Sequence, residues 1–561
     1  MSFVENDGDA AVTLVDDSSL GTTASNYGDN VRISSVEDVP SVGQNHRQDA
    51  ATNRPALFGQ ESLATCEPRV ASVRSSDIPQ VLQRVSEMLV CSRSNHKPDN
   101  PENTSILPQD PDRSAIVYDV DALRAGFNSV RRAFPPHWIH CLALKACPLA
   151  FVIEEARNGQ LGIETASFVE LYMALAHHPQ GLVVFDSPAK TSEELEMALG
   201  RGTLVNANSL DELDRIDTIL RRQAVEGETI AGTTPARVGI RLNPLVGAGA
   251  IAELSVSVPS SKFGVPATPD NVRKVIDAFR RWPWLVALHV HVGSQGCALD
   301  QLAKGIARVC EIADVVDGEL GKGRVSLLDI GGGLPANFDS DEVSPTFDEY
   351  AAVLRRVVPG LFENTDRTVV TEFGRSLMAK TALTVSTVEY VRSNMAVSEH
   401  QAETAGSASA QLAGSKGDAD GGDTGEGSSS PEYQTLVTHI GADLFLRSSY
   451  CPGKFSHRLS MYGPNGEPLS GPLVKTDVAG PLCFQGDYVA RGWNLPRTAP
   501  GDLVVVHDTG ANTLSLFSRH CSRRAPAVYG YVRDGDGGLV VLVIKEKETV
   551  RDVARFWGSS V

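Results

Sequence analysis

Along residues 138–371, short apolar runs alternate with longer stretches of helical period. The runs fall at 138–144, 160–163, 182–185, 203–206, 237–242, 286–292, 325–330 and 368–371. Each is short and almost wholly apolar, the pattern of a strand buried on both faces. Between them, 149–157, 167–176, 192–200, 210–222, 271–281, 301–317 and 347–361 read as helices. Several open on capping residues, as in Thr191-Ser192-Glu193-Glu194 and Asn208-Ser209. Eight such units over about 240 residues predict an α/β fold of the (β/α)8 TIM-barrel type. An open doubly wound sheet is the alternative, but it rarely needs eight consecutive units. Beyond about residue 378 the pattern changes to β-rich runs at 382–391, 503–507 and 538–544. These predict a separate C-terminal β-rich, barrel-like domain.

The flanking segments read differently. Residues 1–75 are rich in Ser, Asp, Asn and Gly and predict a disordered acidic tail; 398–432 has the same character and predicts a disordered insertion. The expected organisation is therefore a tail over 1–75, a barrel with its lead-in over 76–378, and a β domain over 379–561 that carries the insertion.

A length of 561 residues requires more than one core, and 42% hydrophobic content is that of a globular protein. The net charge of −18 comes without any basic stripe, which argues against a nucleic-acid partner. No apolar run approaches the ~20 residues of a membrane span. Nine cysteines, without CxxC pairs, suit a reducing compartment, and the acidic start suits neither a transit nor a signal peptide. These features predict a cytoplasmic protein.

In a TIM barrel the residues just past the C-terminal ends of the strands are the catalytic candidates. Here the first strand ends in Lys145 and the fifth in Asn243. The sixth ends in His291 to Ser294, the seventh in Gly331, Gly332 and Gly333, and the eighth in Glu372 to Arg375. A Lys, a run of glycines, a Glu and an Arg at one mouth suggest an aldehyde cofactor that carries a phosphate. The Lys would form the Schiff base, and glycine N–H groups with a forked Arg would cradle the phosphate. The Glu would hold a pyridine nitrogen protonated. Taken singly each has a bland reading, and His289 or His291 could be a core histidine. Their coincidence at successive strand ends points to pyridoxal 5'-phosphate and to no metal.

The segments LALKACP, SKFGV, HVHVGSQ, DIGGGLP, EFGR and GPLCFQGD resemble the alanine-racemase-fold (fold type III) pyridoxal-phosphate decarboxylases, which include the ornithine, arginine and diaminopimelate enzymes. SKFG and HVGSQ are most similar to the diaminopimelate branch. The resemblance covers about 110–395 and 433–535. It implies a carboxy-lyase that removes an α-carboxylate through a Lys145 Schiff base, in amino-acid metabolism and possibly lysine biosynthesis. It further implies that His291 stacks on the cofactor ring, that Ser294, Gly333 and Arg375 hold the phosphate, and that Glu372 meets the pyridinium. Cys483 and Asp487 match an element that the family supplies from the partner subunit, where the Cys reprotonates the substrate carbon. That implies a homodimer with shared sites. Arg447 and Tyr450 resemble the segment that binds the substrate carboxylate, with a shifted spacing.

Three positions depart from the family pattern. Phe484 stands where an acidic residue meets the distal end of the substrate, Asn512 where a Tyr reaches toward the cofactor, and Phe373 where a Pro precedes the Gly-Arg pair. The alternatives are a racemase or epimerase on the same fold and a catalytically silent homologue that regulates a partner. The C-x-x-x-D element at 483–487 argues against the first, and Lys145, Glu372, Arg375 and Cys483 together argue against the second.

Overall fold

The computed structural model describes residues 72–91, 112–179, 181–226, 237–395, 432–451 and 453–560. Helix α1 (Ile78–Cys91) is followed by strand β1 (Ser114–Asp119) and helix α2 (Val120–Ala133), which Asp119 caps by accepting the Ala122 N–H. The barrel units follow: β2 (Ile139–Ala143), α3 (Ala150–Asn158), β3 (Gly162–Thr165), α4 (Phe168–His177), β4 (Val183–Phe185), α5 (Ser192–Gly200), β5 (Leu204–Ala207) and α6 (Leu210–Glu226). They continue with β6 (Arg237–Asn243), the short β7 (Val265–Pro266), α7 (Pro269–Arg281), β8 (Leu285–Val290), α8 (Leu299–Leu320) and β9 (Leu327–Asp329). Helices α9 (Phe347–Val357) and α10 (Gly360–Glu363), strand β10 (Thr368–Phe373) and helix α11 (Arg375–Met378) complete it.

The parallel strands pair in the order β5-β4-β3-β2-β10-β9-β8-β6, and β6 pairs back to β5, so eight strands close into a barrel. Each run expected as a strand supplies one of these eight. The expected caps also form: Thr191 and Glu194 make a reciprocal capping box at the start of α5.

Strand period determines what the barrel encloses. Residues two apart share a face, so one inward row is apolar and the next is polar. Cys141, Val184, Leu204, Ala287, Leu327 and Val370 form a buried apolar floor. Two residues further along their strands stand Asp186, Asn206, His289, Asp329 and Glu372, all buried. The polar row lies toward the strand C-termini and forms the base of the mouth.

The second sheet contains β11 (Ala382–Met395), β12 (Glu432–Thr438), β13 (Leu459–Tyr462), β14 (Leu473–Ala479), β15 (Tyr488–Pro496), β16 (Leu503–Val506), β17 (Ala527–Arg533) and β18 (Leu539–Lys545). Its main path runs β15-β14-β12-β11-β1-β17-β18. Burial alternates along β12 and β14, as in a sheet with one covered face. Helix α12 (Leu446–Tyr450) lies between β12 and β13, and α13 (Val550–Phe556) follows β18.

Two expectations are corrected here. The lead-in assigned to the barrel contains β1, which instead lies between β11, antiparallel, and β17, parallel, in the second sheet. Ala115 and Val117 on one face of β1 pack with Ile78, Val81, Leu82 and Val85 of α1, a cluster that gives the segment its place. The tail expected over 1–75 also runs too far. Val73 donates its N–H to the Lys380 carbonyl at 2.9 Å, and Ser75 donates to Asp341 at 2.7 Å. The rest of that tail and most of the insertion at 398–432 lie outside the described residues; Glu432 begins β12. Among the described residues no helix is long and apolar enough to cross a membrane.

Candidate active site

Lys145 follows β2 in a single 3-10 turn, Leu144–Ala146, which lifts it onto the barrel mouth. Its side chain is 45% exposed, and its Nζ donates to Glu164 Oε2 at 2.7 Å. Burial of the ammonium acts to lower its pKa, but the carboxylates of Glu164, Glu372 and Asp186 overcome this and raise it above the ordinary value. Burial pushes Glu164 up to about 8.

Behind Lys145 lies the polar row. Arg241 Nη1 donates to Asp186 Oδ2 at 2.8 Å, with both side chains buried. His289, fully buried, lies 3.9 Å from Asp186 Oδ1 and 3.5 Å from Glu372 Oε2. Neither oxygen of the Glu372 carboxylate has a hydrogen-bond partner, though the residue is only 2% exposed. A buried carboxylate so arranged requires a cationic donor.

The Gly331–Gly332–Gly333 turn fits only glycine. Gly331 and Gly333 have φ of +65° and +96°, in the left-handed region. A Cβ on Gly332 would lie 1.9 Å from the Glu372 carbonyl oxygen. Asp329 organises the turn by accepting the Gly331 N–H at 3.0 Å and the Asn206 amide at 3.0 Å. Beside it, Arg375 Nη2 donates to Ser294 Oγ at 3.4 Å. His291 Nδ1 accepts the Gly332 N–H at 3.3 Å, and burial followed by Arg241 lowers its pKa to about 3. Its imidazole is neutral, with the proton on Nε2 by assignment.

The structure thus gathers Lys145, His291, Ser294, Gly331, Gly332, Gly333, Glu372 and Arg375 at one mouth. Arg447 joins them from α12: its Nη2 donates to Asn512 Oδ1 at 3.1 Å, and its guanidinium lies 5.2 Å from the Phe455 ring. Arg375 approaches the same ring at 5.7 Å. Asn512, at a φ of +56°, donates its backbone N–H to Ala146, the residue after the lysine. The Tyr450 side chain lies outside the described residues.

Cys483 and Asp487 are placed differently. Cys483 is exposed on the turn between β14 and β15, next to Phe484 at 51% exposure. Asp487 is held by backbone groups of its own chain. It is 3% exposed, and its oxygens accept the N–H groups of Ala442 and Leu482 at 2.5 and 2.6 Å. Its carboxylate therefore shapes the Cys483 turn. Phe373 is explained by packing: its ring centroid lies 4.9 Å from that of Phe347 and 6.1 Å from those of Phe134 and Tyr350.

Sequence reasoning missed Glu164, Asp186, Asn206, Arg241 and Asp329. Their signal was parity: each faces inward, two positions beyond an inward small or apolar residue.

The donor set fits pyridoxal phosphate. A half-open lysine, a glycine turn beside Ser294 and Arg375, and a buried carboxylate without a hydrogen-bond donor match its aldehyde, phosphate and pyridine nitrogen. Residues 120–379 match the family model for the pyridoxal-dependent decarboxylase pyridoxal-binding domain, and 434–510 match the C-terminal sheet domain of the same family. The chain is 26% identical over 453 residues to the diaminopimelate decarboxylase of Helicobacter pylori, covering 78% of this chain and 94% of the relative. It is 27% identical over 449 residues to that of Methanothermobacter thermautotrophicus, covering 78% and 90%. The crystal structure of the H. pylori enzyme complexed with L-lysine superposes with a TM-score of 0.62 at 21% identity, over 80% of this chain and 97% of that one. A Chlorella virus arginine decarboxylase bound to agmatine gives 0.57 at 17% identity, over 75% and 96%. The chain belongs to the pyridoxal-dependent decarboxylases, as a diaminopimelate-decarboxylase-like carboxy-lyase built on a TIM barrel with a C-terminal β domain.

Proposed function

We propose that this protein removes the α-carboxylate of diaminopimelate, releasing lysine, and does so in the cytoplasm as a homodimer with shared active sites. The observation that carries this reading is the convergence of Lys145, Glu372, the glycine turn and Arg375 on one barrel mouth. Bound there, pyridoxal phosphate supplies the electron sink for the pair left behind by the departing carboxylate.

The chain's own residues do the rest. Lys145 provides the amine that joins the cofactor. Glu372 would hold the cofactor's pyridine nitrogen protonated, and neutral His291 would pack against its ring. Gly331, Gly332, Gly333, Ser294 and Arg375 receive the phosphate through N–H, hydroxyl and guanidinium donors. Arg447, aimed by Asn512, meets a substrate carboxylate. Cys483, on the turn braced by Asp487, returns a proton to the substrate carbon in the partner's site. Self-association is supported by the exposed Phe168, Val169 and Tyr172 on α4, which follows the strand that carries Glu164.

Release of carbon dioxide from a panel of amino acids by the cofactor-loaded protein tests the reading. Diaminopimelate should be the best substrate. Because Phe484 offers no charge to a distal ammonium, the panel includes amino acids with uncharged distal ends. Cofactor binding without release from any member of the panel would mean a silent homologue, and inversion without release a racemase.

A further inference from the structure

Strand register brings three charged or ionisable side chains into one row beneath the mouth. Arg241 on β6 is paired with His289 on β8, and His289 with Asp329 on β9. Parallel partners project to the same face, here the barrel interior. From the β4 side Asp186 enters between Arg241 and His289, and from the β10 side Glu372 reaches the far edge of the imidazole. The result is an alternating series: Arg241 to Asp186 at 2.8 Å, Asp186 to His289 Nδ1 at 3.9 Å, and His289 Nε2 to Glu372 at 3.5 Å.

His289 is fully buried and neither ring nitrogen has a hydrogen-bond partner. A histidine that only filled space would leave two polar atoms desolvated without compensation. Lying between two carboxylates, the imidazole has an acceptor oxygen near each of its edges. The other ionisable groups that face this row are Lys145, Glu164, Lys190, His291, Asp329 and the Cys141 thiol.

We propose that His289 is a positioning residue that links the Arg241–Asp186 ion pair to Glu372, holding that carboxylate ionised and aimed at the cofactor's ring nitrogen. This rests on the reading of Glu372 above. Burial alone raises the pKa of Glu372, yet His289 brings it below the ordinary value, in line with this geometry.

The same three groups, Asp186, His289 and Glu372, also lie close enough to hold a cation, with their nearest ligand atoms all within 4.8 Å of one another. The experiment therefore measures metal as well as cofactor. Wild type, His289→Leu, Glu372→Gln and the double variant are stripped and titrated with pyridoxal phosphate, and the pH dependence of the bound cofactor's absorbance is recorded. Thermal melts of the stripped proteins run in parallel. His289→Leu should weaken cofactor affinity by about tenfold and displace the pH profile, and the same change should be nearly silent once Glu372 is Gln. His289→Asn, smaller and polar, serves as the second variant if His289→Leu melts early. Additive losses would overturn the proposal, as would an unmoved pH profile or a stoichiometric divalent cation released on mutating His289. If wild type binds no pyridoxal phosphate, it is the functional reading that fails; coupling between His289 and Glu372 is then read from the melts alone.

Discussion

Three other histidines, His140, His457 and His507, have pKa values lowered to about 4 by burial, reinforced in each case by nearby arginines. In the unfolded chain each titrates near its ordinary value of 6.5. Above that pH both states are neutral and the groups contribute no pH dependence. Between 6.5 and 4 the unfolded chain binds protons that the folded one refuses, so stability falls as pH falls, by up to about 1.4 kcal/mol per pH unit for each histidine. Denaturant melts between pH 7 and 4.5 should show this slope, and His507→Gln should reduce it by one proton's share. Single residues were legible where position and chemistry coincided: Lys145 and Glu372 stand at strand ends, where a barrel keeps its reactive groups. Asp186 and Arg241 were not, because they sit within or beside runs whose apolar character marks a strand and conceals the inward charge. The anchoring of Asp487 was not legible either, because spacing reveals a carboxylate without revealing the backbone N–H groups that it accepts.

Among the elements, the Gly331–Gly333 turn carries the sharpest constraint. Replacing Gly332 with Ala would drive a methyl group into the backbone of β10, and backbone cannot move aside as a flexible side chain can. Gly332→Ala should therefore lower the thermal midpoint and abolish cofactor retention together, with a loss of about 3 kcal/mol or more. Retention of cofactor with an unchanged melt would contradict this. The strands and helices of the barrel were legible because each carries its own period and caps. One helix expected over 347–361 is divided into α9 and α10 because Pro359 pushes Val358 out of the helical region, to a φ of −133°. Strand β1 was illegible for a different reason. Its partners begin at Ser386 and Ala527, and no local pattern states which sheet a strand will join.

For the whole molecule, the shared sites proposed above can be put to a complementation test. Lys145→Ala and Cys483→Ala chains are each expected to be inactive alone. Mixed and allowed to exchange, they should regain up to about one quarter of wild-type activity, since half the dimers are mixed and each mixed dimer has one intact site. Mixed dimers without activity would show that Cys483 serves its own chain or none. The position of β1 also orders events during synthesis. β1 leaves the ribosome before any barrel strand, yet its neighbours β11 and β17 are made only after the barrel is complete. The barrel must close while β1 waits with bare edges, and the second sheet can zip up only when the last stretch of chain emerges. A truncation before Ala527 would therefore strand a finished catalytic barrel beside an open sheet edge, the kind of surface that chaperones guard and aggregates recruit.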